Sequence, residues 1–169
     1  MLEEHVCRLA ADPLRRTLVL SERRGHLTDL GHRLTAKGIA HGFYWGGEKQ
    51  AALEDAATQP VILGTFHMAS EGMDVPCLNA VILATPKSDV KQSIGRILRK
   101  RDHPVPPLII DIVDERLPCF KRQYYVRSRL YKKSGFQLPG HSAAAAEGAG
   151  GASGTSAPTL PAGCAFLDA

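Results

Sequence analysis

The sequence predicts an α/β domain built on a doubly wound, mostly parallel sheet. Three observations lead there. Runs such as "TLVLS", "PVILGT" and "AVILAT" are apolar at nearly every consecutive position, so both faces of each strand are buried. Segments with helical spacing separate these runs, and that alternation gives a parallel sheet with helices on both faces. The chain has 169 residues, 44% of them hydrophobic, enough for one domain with a sizeable core.

The elements follow in order. Residues 17–21 read as the first buried strand. A helix follows over "RRGHLTDLGHRLTAKG", with Leu27, Leu30 and Leu34 at helical spacing and Gly38 as its C-terminal cap. "HGFYW" (41–45) is a strand closed by a Gly46–Gly47 turn, and 48–57 is a short helix. Strands at 60–65 and 80–85 flank "TFHMASEGMDVP", read as a loop. Residues 89–100 form a helix with Val90, Ile94, Ile97 and Leu98 on one side. A strand at 106–114 and a helix at 119–135 complete the fold.

The domain spans residues 1–138. Beyond it, 139–169 are Ala, Gly, Ser and Pro with few large apolar residues, too little surface to offset the entropy of ordering. A disordered tail is expected there.

Net charge is +4, and the segment after residue 138 contributes Glu147 and Asp168 with no Lys or Arg, leaving +6 on residues 1–138. That excess permits a polyanionic partner. No apolar run approaches the length of a membrane span, and "MLEEHVCRLAADPLRR" lacks a secretory h-region. Cys7, Cys77, Cys119 and Cys164 form no C-x-x-C pair, so free thiols in an intracellular compartment are expected, with no structural zinc.

Ligands of doubly wound sheets bind beyond the carboxyl ends of the strands, here after Ser21, Thr65, Thr85 and Asp114. After Thr65, Gly72 with Asp74 suits close backbone approach to a ligand beside a carboxylate; a polar turn is the alternative. In 89–100, Arg96 and Arg99 lie three apart on one helix face and could converge on a phosphate; a solvated basic face is the alternative. Gly95 costs about 1 kcal/mol within a helix relative to Ala, which calls for a packing or approach reason. In the last helix, Tyr124, Tyr125 and Tyr131 interleave with Lys121, Arg122, Arg127, Arg129, Lys132 and Lys133. Stacking on bases is one reading. The other has Tyr124 and Leu130 packing on the sheet while Lys and Arg stems run outward.

Three stretches in order resemble motifs IV, V and VI of the superfamily 2 helicases: "RTLVLSERRGHLTDL", "VILGTFHMASEGMDVPCLNAVILATP" and "DVKQSIGRILRK". Gln92 to Arg99 matches Q-x-x-G-R-x-x-R in full. Thr65 to Pro76 matches the T-x-x-M-A-S-E-G-x-D-x-P pattern of helicases of large DNA viruses and their phage-type relatives. The resemblance spans about residues 10 to 135 and implies a second, C-terminal RecA-like domain. By that resemblance Arg99 is an arginine finger toward the γ-phosphate of ATP and Arg96 its companion. Gln92 couples nucleotide to nucleic acid, Gly72 and Asp74 lie near ribose and phosphates, and Thr65 touches the DNA or RNA backbone. Ser21 and Arg24 would hold a phosphate at a helix start.

The family's site for ATP with Mg²⁺ is shared with a first RecA-like domain. This sequence contains no G-x-x-x-x-G-K-[ST], and its sole Asp-Glu pair, Asp114-Glu115, follows motif VI. The expectation is a C-terminal half working with a partner domain or chain that carries the phosphate loop, and inactive as an ATPase alone. A stand-alone nucleic-acid-binding module is the alternative. A small nucleotide-binding transferase would need its own glycine loop, which neither "GG" nor "SEGMD" supplies.

Overall fold

A computed structural model describes residues 1–71, 73, 75, 77–97, 103–114, 116–138 and 163–168, with backbone alone for Arg96, Ile97 and 163–168. The elements are α1 (Leu2–Ala10), β1 (Thr17–Ser21), α2 (Arg24–Ala36), β2 (His41–Tyr44), α3 (Gln50–Thr58), β3 (Val61–Thr65), α4 (Phe66–Glu71), β4 (Ala80–Leu83), α5 (Lys91–Ile97), β5 (Leu108–Val113), α6 (Pro118–Lys133) and β6 (Gly163–Asp168). The strand order is β2-β3-β1-β4-β5-β6 and every pairing is parallel. The doubly wound sheet expected from the sequence is the one observed.

Both faces of the central strands are covered, and every residue of β1 and β4 is buried. On one face Val19, Leu63 and Ile82 pack against Val6 and Leu9 of α1 and Leu27, Leu30 and Leu34 of α2. On the other, Leu18, Ile62 and Val81 meet Leu53 of α3, Phe66 of α4, Ile94 of α5 and Tyr131 of α6. At Gly42 an added Cβ would lie 2.4 Å from Ala56 Cα, so only glycine lets α3 sit this close to β2. Gly38 takes φ +68° after α2, in the left-handed cap position its sequence placement predicts.

Three elements depart from the sequence reading. The helix α1 was not anticipated, because only Val6 and Leu9 of it are buried, too short a stripe to stand out among charged neighbours. The segment after β3, expected as loop, begins as α4, where Phe66 and Ala69 turn inward three residues apart. Within the segment expected to be a disordered tail, Gly163–Asp168 runs beside β5 as an edge strand. "CAFL" is that segment's one run containing both Phe and Leu, and the outer edge of β5 offers it unpaired backbone donors and acceptors. Residues 139–162 and 169 lie outside the described residues.

Two buried polar constructions hold the layers in place. Asn79, 1% exposed, accepts the Arg16 N–H at 3.1 Å and donates to the Leu14 carbonyl at 2.7 Å. Its backbone carbonyl accepts Leu108 N–H at 2.9 Å, which joins the amino ends of β1, β4 and β5. Near the other end, Asp111 receives Arg127 Nε at 2.7 Å, Arg127 Nη2 at 2.8 Å and the Tyr131 hydroxyl at 2.7 Å. Burial pulls the Arg127 pKa down, but the hydrogen bonds and charge of Asp111 outweigh it and the net shift is upward. Arg127 thus belongs to the interior, not to the outward basic set. Tyr131 is buried with it, while Leu130 packs only partly buried.

No helix among the described residues is long and apolar enough to cross a membrane.

Arg127→Met should lower the unfolding free energy by about 3–5 kcal/mol, because it strands the Asp111 carboxylate in the core. The double variant Asp111→Leu/Arg127→Met should lose markedly less than the single one. Urea unfolding of the two at one pH tests this, and equal losses would contradict it.

Candidate functional site

Parallel pairing gathers the carboxyl ends of the strands on one rim. Ser21 and Thr65 are register partners there, on β1 and β3. The chain leaves β1 into α2 on one face of the sheet and leaves β4 toward α5 on the other. Loops departing to opposite faces open a crevice between β1 and β4, the switch point at which such sheets take ligands. A cavity of about 640 Å³ occupies it, lined by Glu22, Arg23 and His26 from the β1 side, Thr85 and Pro86 from the β4 side, and Phe120 and Gln123 from α6.

Ser21 is fully buried, and its hydroxyl serves the turn. It donates to the Arg23 carbonyl at 3.3 Å and accepts the Arg23 N–H at 3.1 Å, with His26 Nδ1 at 3.3 Å. It therefore shapes the loop into α2 more than it presents an oxygen outward. Arg24, the first residue of α2, is exposed. Its guanidinium donates to the Gly46 carbonyl and lies 5.8 Å from the centre of the Trp45 ring. Trp45 also stacks on Phe43 at 4.4 Å, and its indole N–H donates to Glu48 at 2.8 Å. The Gly46–Gly47 turn permits this approach, with Gly47 at φ +90°. Thr65 is half-buried at the end of β3, where α4 begins.

The loop that launches α5 is fastened on three sides. Glu22 N–H donates to Thr85 Oγ1 at 2.9 Å, and the Lys87 ammonium pairs with the Glu22 carboxylate. Lys87 also sits 5.7 Å from the Phe66 ring centre, and its carbonyl accepts Arg127 Nη1 at 2.7 Å. Asp89 then accepts the Lys91 N–H at 3.2 Å and starts the helix. Val90 and Ile94 bury the inner side, which leaves Gln92 exposed. A Cβ at Gly95 would meet nothing within 4 Å, so packing among the described residues does not require this glycine.

Arg24, Ser21 and Thr65 thus share the rim, and Gln92 stands on the helix that rises from it. Gly72, Asp74 and Arg99 lie outside the described residues, as does the side chain of Arg96. Of the acids in "DIVDE", Asp111 binds Arg127 and Asp114 binds Arg116 at 3.0 Å. The Arg116 hydrogen bond holds the Asp114 carboxyl below its ordinary range. Among the described residues no cluster of three or more His, Cys, Asp or Glu could hold a metal ion.

No model of a known protein family matches the chain. Over 97 residues it is 45% identical to a candidate ATP-dependent RNA helicase of Acanthamoeba polyphaga mimivirus, covering 57% of this chain and 19% of that protein. Over 95 residues it is 33% identical to a protein of the same description from African swine fever virus, covering 55% and 18%. The chain therefore spans about a fifth of the length of these relatives. Among solved structures, the C-terminal part of the Fun30 ATPase domain superposes with a TM-score of 0.63 at 13% identity, over 74% of this chain and 43% of that one. The Escherichia coli DEAD-box protein SrmB superposes with a TM-score of 0.57 at 19% identity, over 72% and 75%. These solved neighbours share the fold of the chain, that of a RecA-like helicase domain.

Sequence reasoning left parts of this domain unassigned. Trp45 and its glycines turn out to cradle Arg24, a pairing across 21 residues that no local spacing signals. Thr85 was read only as the end of a strand and Lys87 was not singled out, yet they tie two rim loops together. Trp45 is the chain's single tryptophan. Arg24→Ala should therefore expose more of the indole, red-shifting the emission and raising acrylamide quenching of the domain. Arg24→Lys should restore less than half of the protection, because a lysine cannot stack flat on the ring. Unchanged quenching in Arg24→Ala would rule out the Arg24–Trp45 contact.

Proposed function

We propose that this domain supplies one wall of an ATP site and one stretch of a nucleic-acid path, both completed by a first RecA-like domain. Arg99 and Arg96 act as cations toward the transferred phosphoryl group. Gly72 and Asp74 approach the ribose and phosphates, and Gln92 links nucleotide to nucleic acid. Thr65 and Arg24 hold the nucleic-acid backbone, with Ser21 shaping the loop that carries Arg24. ATP with Mg²⁺ is the ligand, and RNA is the favoured strand over DNA.

The observation that carries the reading is the 45% identity to the mimivirus protein, together with the shared rim of the loops bearing the three motifs. In a parallel sheet that rim faces a single ligand region, so motifs distant in sequence can act on one molecule. The choice of RNA follows the names of the two viral relatives. Cys7, Cys77 and Cys119 are free thiols, which fits an intracellular site of action.

The chemistry asked of the arginines is electrostatic. Preorganised guanidiniums neutralise charge that grows on the phosphoryl oxygens, with little reorganisation at the moment of transfer. The phosphate-loop amides and the magnesium carboxylate belong to the partner domain.

Purified alone, the chain should show no nucleic-acid-stimulated ATP turnover. Combined with a domain bearing a phosphate loop and an acidic motif, it should. In that pair Arg99→Ala should lower kcat by about 10³–10⁵-fold. Turnover by the chain alone that Arg99→Ala abolishes would refute the shared-site reading.

A further inference from the structure

The helix α6 holds six cationic residues and no acidic residue between Pro118 and Lys133. Arg127 is neutralised inside the core by Asp111. The other five are exposed: Lys121, Arg122, Arg129, Lys132 and Lys133. Tyr125 is 53% exposed among them and Val126 50%, with the Tyr124 ring 5.9 Å from that of Tyr125. Arg122, Tyr125, Arg129 and Lys132 follow one another at steps of three or four residues, so they form a single ridge. From Arg122 to Lys132 the ridge runs about 15 Å.

A solvated helix face explains only part of this. Such faces mix charge signs and gain from opposite pairs one turn apart. Here Arg129 has Lys132 and Lys133 three and four residues on, like charges that repel. Lys132 and Lys133 in the last turn are favoured by the helix dipole, but Lys121 and Arg122 lie near the end where that dipole favours anions. The uncompensated set is therefore Lys121, Arg122 and Arg129, grouped around an exposed aromatic ring.

Basic groups spaced along a groove or ridge with a ring between them fit a single nucleic-acid strand, whose phosphates repeat and whose bases present flat faces. An acidic protein surface would use the charges but has no regular need for the ring. The position is also continuous with the rim. Phe120 and Gln123, on the inner side of the same helix, line the switch-point cavity, and among the described residues the buried Oε1 of Gln123 has no hydrogen-bond partner.

We infer that the outer face of α6 is a second nucleic-acid contact, in which Lys121, Arg122 and Arg129 take backbone phosphates and Tyr125 stacks a base. The inference rests on the reading that this domain binds nucleic acid at its rim, and it adds an exit track along α6.

The test uses the whole 169-residue chain and a fluorescent single strand of about 20 nucleotides, longer than one binding footprint. Affinity is measured across a salt series. In the variant Lys121→Ala/Arg122→Ala/Arg129→Ala the slope of log K against log salt should fall by about 2, or about 0.7 for each lost phosphate contact. Tyr125→Ala should weaken binding by roughly ten-fold and leave the slope unchanged. All four side chains are exposed, and matched thermal unfolding will confirm that the fold is intact. Arg24→Ala separates the two readings. If it weakens binding while the α6 variants bind like the parent, the α6 track is wrong and the rim reading stands. If the parent does not bind at low salt, both are wrong. If polyglutamate displaces the strand as well as an unlabelled strand of equal charge does, the face is a site for acidic protein and the nucleic-acid assignment is overturned.

Discussion

The buried ion pair of Asp111 with Arg127 is the constraint on which the candidate site depends. A carboxylate in the middle of β5 has lost its water and must find donors inside the protein. Two guanidinium nitrogens and the Tyr131 hydroxyl supply them. Few placements of α6 can satisfy three bonds to one carboxylate, so the pair sets where that helix lies. The remaining arm of Arg127 reaches the Lys87 carbonyl, and through it the same guanidinium holds the loop that launches α5. A pair of this kind adds little net stability over apolar residues of equal volume. Its contribution is geometric: it joins the last helix to the helix that carries Gln92 and Arg96.

The polarity of the sheet does the rest of the assembly. Because all strands run the same way, Ser21, Thr65, Thr85 and Asp114 all emerge on one rim although 93 residues separate the first from the last. The rim loops are then braced against one another by Glu22, Lys87 and Thr85. Arg24 is braced separately, between the Gly46 carbonyl and the Trp45 ring. Such bracing limits how far a cationic group must reorganise when a phosphate arrives, and preorganised groups bind at lower entropic cost. The opposite end of the sheet has a different task. Asn79 closes it with side-chain bonds to backbone.

What was legible in the sequence, and what was not, follows from the range of the forces involved. The strands read at 17–21 and 80–85, observed as Thr17–Ser21 and Ala80–Leu83, announced themselves because burial on both faces demands unbroken apolar runs. Gly38 announced the end of α2 because few other residues accept that backbone. Helix α4 was hidden, since six residues with two inward side chains carry almost no periodic signal. Arg127 was misleading, because in a run of Lys and Arg nothing local distinguishes the one cation that finds a buried carboxylate 16 residues earlier. Gly95 shows the reverse: its helix position suggested close packing, and the described residues leave the space around it open.

By itself, then, the sequence determined the alternation of strands and helices, the parallel sheet, and the order of the three motifs, because these are properties of short windows and of their succession. Only the tertiary structure decided which cations are structural and which face outward. It also decided that Trp45 belongs to Arg24 and that Lys87 links α5 to α6. Those assignments rest on desolvation and on contacts between residues far apart in the chain, and a side chain's environment is settled only when the surfaces that bury it have come together.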